Sequence, residues 1–167
     1  MKRNLSMVLF AVLGLALGTS CEKEDDLRRV DRELSEALNS KFPEAVWVEW
    51  EKQRDFYVAE FHDAGTEVKV WYTGNAQWCM TETDLGRNPG ALPEAVKEAF
   101  GSSAYAASWR VDDIDKYERP GETFYLIEIE KAGERDRDLF YSESGTLLKD
   151  DKDRGDVHPA VSKILCK

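Results

Sequence analysis

The sequence predicts an α+β fold built as a tandem repeat, a helix plus a four-stranded antiparallel sheet written twice. Three observations predict it. Residues Leu34 to Glu82 recur, with substitutions, from Leu92 to Lys149. Leu34, Ala37, Leu38 and Phe42 answer to Leu92, Ala95, Val96 and Phe100 at a constant offset of 58, spaced i, i+3, i+4, i+8 as on one helix face. Behind that helix the copies share period-2 runs: Tyr57 to Phe61 matches Tyr125 to Ile129, and Val70-Trp71-Tyr72 matches Leu139-Phe140-Tyr141. The offset grows from 58 to 69 between first helix and third strand, which assigns the extra residues of the second copy to a hairpin tip around Lys116 to Glu122, where Pro120-Gly121 reads as a turn.

In chain order, Lys2 and Arg3 precede an apolar run from Leu5 to Leu17 that ends in small residues before Cys21, the layout of a signal peptide over residues 1–20. The run is too short for a comfortable membrane span. Gly18-Thr19-Ser20-Cys21 resembles a bacterial lipobox, with Gly18 where an aliphatic residue is usual, and this resemblance implies lipidation of Cys21. Glu22 to Asp26 is similar to the acidic stretch behind the lipid cysteine of surface lipoproteins in Bacteroidetes-type bacteria. A secreted protein cut nearby is the alternative.

Residues 21–33 then form a tether and the start of the first helix, which the stripe Leu27, Val30, Leu34, Ala37, Leu38, Phe42 carries to Pro43. The first repeat, 34–84, continues with strands at Val46 to Glu51, Phe56 to His62, Glu67 to Thr73 and Gln77 to Glu82, and the short Asp63-Ala64-Gly65 and Gly74-Asn75 connections imply an antiparallel meander. Residues 85–91 are a Gly/Pro-rich linker. The second repeat, 92–150, opens with Leu92-Pro93-Glu94, a proline well placed in a first helical turn. Its strands read as Ser108 to Asp115, Thr123 to Lys131, Arg135 to Ser142 and Thr146 to Asp150. In residues 151–167 an acidic loop precedes Val157, Val161, Ile164 and Leu165, whose spacing marks a cap helix packed on the second repeat.

The chain carries 23 basic and 33 acidic side chains, net −10. Loss of residues 1–20 removes Lys2 and Arg3 and no acid, leaving −12 over 147 residues. Nucleic acid is excluded as a partner, as is electrostatic adhesion to anionic lipid, because both require basic surface. The membrane is reached through the lipid anchor only.

Catalytic chemistry finds little support. His62 and His158 are the two histidines, and neither has a second ligand at metal-binding spacing. Asp63 follows His62, but adjacent strand residues face opposite ways, so it does not orient the imidazole. No glycine-rich phosphate loop is present, and we expect neither enzyme nor cofactor nor metal. Asp151 to Asp156 has the alternating aspartates of a calcium loop without its third alternating ligand or closing glutamate, which favours a solvated acidic loop over a cation buffer. Cys79 and Cys166 remain once Cys21 is set aside; in an exported protein they either bridge or stay as two thiols.

Alternation turns Tyr57, Ala59 and Phe61, with Val68, Val70 and Tyr72, toward the helices. It leaves Trp71, and Phe140 in the second copy, on the other face. Trp47 and Trp50 cannot both be core. Trp47, Trp71 and Phe140 are therefore the candidate anchors of a binding surface on an open sheet face, each with a plain reading as sheet filler.

With the repeats laid out, the chain resembles the PepSY-like family of beta-lactamase-inhibitor-like lipoproteins of Bacteroides-type bacteria. The residues that carry this are Lys41 to Ala45, Trp50-Glu51, Tyr57 to Phe61, Val68 to Tyr72, Leu92 to Lys97, Trp109 to Asp113 and Tyr141 to Leu147. The resemblance implies a fold similar to the secreted beta-lactamase inhibitor protein, two helix-plus-four-strand units whose sheets join in one curved surface. It supplies no activity. The expected function is a non-enzymatic outer-membrane lipoprotein, on the surface or periplasmic side, that binds an unknown protein through the open face of its sheet, inhibition of an extracellular or periplasmic enzyme being one form of that role and an adaptor another. The alternative is a small-ligand or glycan sensor, which a deep pocket among the three aromatics would favour.

Overall fold

A computed structural model of the chain describes residues 21–152, with side chains from Asp31 onward. The elements are α1 (Cys21–Lys41), β1 (Glu49–Gln53), β2 (Phe56–Asp63), β3 (Thr66–Thr73), β4 (Trp78–Asp84), a 3-10 turn (Pro89–Ala91), α2 (Glu94–Gly101), β5 (Arg110–Arg119), β6 (Glu122–Glu130), β7 (Arg137–Ser142) and β8 (Leu147–Lys152). Their short connections follow local chemistry. Ala64 and Gly65, both at positive φ, close β2 onto β3 in a two-residue turn, and Pro120-Gly121 with Gly121 at φ 79° closes β5 onto β6.

The strands form one antiparallel sheet in the order β1-β2-β3-β4-β5-β6-β7-β8. This corrects the expectation of a tandem repeat of a helix plus a four-stranded sheet. The two halves are continuous, because Thr81, Glu82, Thr83 and Asp84 of β4 pair with Glu118, Tyr117, Lys116 and Asp115 of β5. The sequence placed residues beyond Asp115 in a hairpin tip; the chain instead keeps them extended to Arg119, and that extension is the joining strand. The helices differ as well, α1 having 21 residues and α2 eight.

Both helices lie on one face. Leu34 and Leu38, one turn apart on α1, pack with Ala59, Phe61, Val68, Val70 and Tyr72. Pro43 cannot extend α1, and its last turn closes with Phe42 N donating to Leu38 O at 2.7 Å. On α2, Val96 and Phe100 pack with Tyr125, Ile127, Ile129, Leu139 and Tyr141. Pro93 stands just before α2, where its carbonyl accepts from Lys97 N at 2.9 Å. Among the described residues no helix is long and apolar enough to cross a membrane. The signal segment, most of the acidic loop and the expected cap helix lie outside the described residues, as do His158 and Cys166.

Candidate functional site

The face of the sheet away from the helices has two halves. Strand pairing sets Val58 beside Trp71, Trp71 beside Met80, Tyr117 beside Phe124 and Leu126 beside Phe140, which makes an apolar band across β2 to β7. These side chains form one cluster with Cys79. The Tyr117 and Phe124 rings stack at 5.0 Å, and the Arg119 guanidinium lies 4.8 Å above Phe124. Trp71 and Phe140 occupy the side that alternation assigns them, yet they are only 2% and 7% exposed, so neither is a solvent-facing anchor in this conformation. Cys79 is buried and disulfide-bonded.

Carboxylates fill the other half. Glu60 pairs with Lys69, Lys69 with Glu82, Asp84 with Asp115, Asp113 with Glu128 and Glu128 with Asp138. Glu82 and Asp115 are buried, at 6% and 4% exposure. Burial raises Glu82 to about 7 against the attraction of Lys69 and the Tyr117 hydroxyl that donates to it. Burial, then the repulsion of Glu82, Asp113, Glu128 and Asp84, raises Asp115 to about 8. Asp113 is also raised, chiefly by burial. Oxygens of Asp84, Asp113 and Asp115 lie within 4.8 Å of one another, a set that suits a hard cation in kind, although a shared proton relieves the same repulsion. Sequence reading missed this group because the carboxylates come from strands 30 residues apart; the signal it left was acids at inward-alternating positions of β4 and β5.

Trp47 stands apart from both halves. It is 92% exposed, directly ahead of β1 at the sheet's free edge, with φ 56° in the left-handed region. Val46 beside it is exposed, while Trp50 alternates toward the helix face and its ring lies 6.0 Å from that of Tyr72. His62 is exposed at the end of β2. A shallow cleft of about 180 Å³ lies at the foot of α1 between Lys41, Phe42, Pro43, Glu44, Ala45, Phe61 and Asp63, and none of the three candidate aromatics lines it.

This arrangement of one eight-stranded antiparallel sheet with its helices on one side is shared with known proteins. Residues 55–149 match the family described as "Putative beta-lactamase-inhibitor-like, PepSY-like". The chain belongs to this PepSY-like family. Solved structures agree. A DUF2874 family protein from Bacteroides ovatus is 28% identical with a TM-score of 0.73, covering 80% of this chain and 96% of its own. A BLIP-like protein from Bacteroides fragilis is 37% identical with a TM-score of 0.68, covering 76% of this chain and 90% of its own. A third, from Bacteroides eggerthii and described as a putative periplasmic protein, is 24% identical with a TM-score of 0.67 over 72% of this chain and 86% of its own, and shows the shared fold. No curated protein matches this PepSY-like chain.

Proposed function

We propose that the chain is a non-catalytic binding module of the cell envelope that engages a protein partner through the edge formed by Val46, Trp47 and β1, together with the charged half of the adjoining sheet face. The observation that carries this is Trp47. A large indole held in solvent at positive φ loses about 1 kcal/mol to backbone strain and gains no burial in return, so the monomer alone does not account for it. Membership of a beta-lactamase-inhibitor-like family supports a binding rather than a catalytic role, and inhibition of an exported enzyme is the finer form of the proposal. Export, and a lipid on Cys21 at the outer membrane, complete it. The small-ligand alternative is less supported, since the cleft at the foot of α1 is shallow and remote from the aromatics.

The test is crosslinking in the native envelope with wild type and Trp47→Ala. An anchoring tryptophan contributes about 2 kcal/mol or more, so capture of the specific partner should fall roughly 30-fold in affinity. The fold should persist, since the side chain buries nothing. Equal recovery of every partner by both chains would remove the edge from consideration.

A further inference from the structure

The sheet ends at β1, and no strand among the described residues continues it. β1 pairs with β2 along one side only, so its other side carries a row of backbone N–H and C=O groups without a ladder partner. Glu49, Trp50, Glu51 and Lys52 are all exposed, which leaves that row within reach of another chain. Natural sheets guard such edges, and charges that repel a like strand are one device. Glu49 and Glu51 supply it here, on a chain of net charge −10. The 92% exposed Trp47 and the exposed Val46 directly ahead of β1 do the reverse, because they offer apolar surface for contact. An edge that repels its own copies yet presents an indole at one end is selective, not merely protected.

The charges say what it selects. Pairing sets Glu49 opposite Glu60 and Glu51 opposite Val58 on the helix-free side of β1, and Trp50 opposite Ala59 on the helix side. Glu49 and Glu51 form no ion pair among the described residues, although Glu51 accepts a hydrogen bond from the Gln53 side-chain amide. At the opposite edge of the sheet, by contrast, Asp150 and Asp151 of β8 are already taken by Arg137 and Lys149. Lys52 lies 5.4 Å above the Tyr57 ring, which leaves Trp50 as the side chain that a new neighbour meets on the helix side.

We propose that β1 receives an extended, basic segment of the partner protein as a ninth strand, with lysine or arginine facing Glu49 and Glu51 on one side and an apolar residue facing Trp50 on the other. This rests on the reading of the edge formed by Val46, Trp47 and β1 as the partner interface, and names the chemistry that the partner brings to it. Main-chain hydrogen bonds along β1 hold the segment, and its alternating side chains set specificity. Opposite charges directly across a ladder favour pairing and like charges oppose it, so the two acids that turn away a second copy recruit this strand. The five residues of β1 accommodate a segment of similar length, roughly 17 Å.

The experiment uses the full chain and a capped six-residue peptide of alternating lysine and valine. Two further forms carry N-methyl groups on the lysine amides or on the valine amides, and a fourth has glutamate in place of lysine. The parent peptide should bind and slow amide exchange across β1. Methylation of the set of amides that faces β1 should weaken binding about ten-fold or more, and methylation of the outward set should be tolerated. The glutamate peptide should bind about ten-fold more weakly or worse, and the Glu49→Lys, Glu51→Lys double variant should reverse that preference. Should the double variant unfold, the four peptides on the wild type still decide. Failure of the parent to bind, equal binding of both methylated forms, or unslowed exchange at β1 overturns strand addition. Exchange at β1 that slows with rising concentration of the chain alone makes a second copy the occupant and overturns it too. If the peptides fail while envelope crosslinking still depends on Trp47, the edge remains the interface and only the added strand is lost; if crosslinking is indifferent to Trp47 as well, the edge itself is lost.

Discussion

Gly145 shows how much a single backbone position carries. It turns the chain between β7 and β8 at φ 82°, with its N–H donating to Ser142 O at 2.9 Å. A Cβ added there would lie 2.3 Å from the carbonyl oxygen of Ala95, so the hairpin tip rests directly on the backbone of α2. Gly121 has nearly the same φ, 79°, and open space around it. The pair separates strain from contact: Gly121→Ala should cost about 1 kcal/mol, the left-handed penalty alone, whereas Gly145→Ala adds a clash that only movement of α2 can relieve and should cost about 2–4 kcal/mol. Urea denaturation of the two variants measures this, and equal losses would mean that the tip does not bear on the helix. Sequence marks glycines at turns, but the neighbour of Gly145 is a residue 50 positions earlier, which no local pattern encodes.

At the scale of elements, the β4–β5 ladder is both the joint between the halves and the place where acids are buried. Alternation was sufficient to assign Trp71 and Phe140 to their face, since period 2 needs only a strand. It did not assign their burial, which depends on what lies above them. The joint was illegible for another reason: its β5 residues beyond Asp115, Lys116 to Glu118, are mostly charged and read as a hairpin tip, and their strand conformation comes from pairing with β4 across the linker. Burial of Glu82 and Asp115 in that ladder makes stability depend on pH. Their folded values, about 7 and about 8, stand above the ordinary 4.5 and 3.8, so the native state holds protons that the unfolded chain releases. Stability from this source is complete below about pH 4 and is lost as pH rises through 7 to 8. Other groups near Glu82 and Asp115 are Lys69, Glu67, Asp84, Asp113, Tyr117 and Glu128, of which Lys69 and the Tyr117 hydroxyl oppose the rise at Glu82. Unfolding free energy should be several kcal/mol lower at pH 9 than at pH 5, and the Glu82→Gln, Asp115→Asn double variant should flatten that slope. A wild-type profile that rises over the same range would place the two carboxyls in a more polar setting than their burial indicates.

For the molecule as a whole, the question is whether two similar halves behave as two units. The internal similarity of the sequence points that way, and a chain of independent repeats would lose stability piecewise. The sheet argues otherwise. Its helix-face clusters are separate, one under α1 and one under α2, but the cluster on the other face takes Val58, Trp71 and Met80 from the first half and Tyr117, Phe124, Leu126 and Phe140 from the second. Neither half can bury its share of that band alone, and separation would also expose the β4 and β5 edges. Unfolding should therefore be a single transition, with fluorescence and far-UV circular dichroism superimposed. Tyr117 gives the sharper test, because it sits fully buried on the joining strand within the shared cluster. Tyr117→Ala should move the whole transition by about 3–5 kcal/mol, the range for a deleted core aromatic, with both probes shifting together. If the halves were autonomous, the variant would instead split the curve, leaving the α1 side at its wild-type midpoint; that result would return the chain to two units in contact.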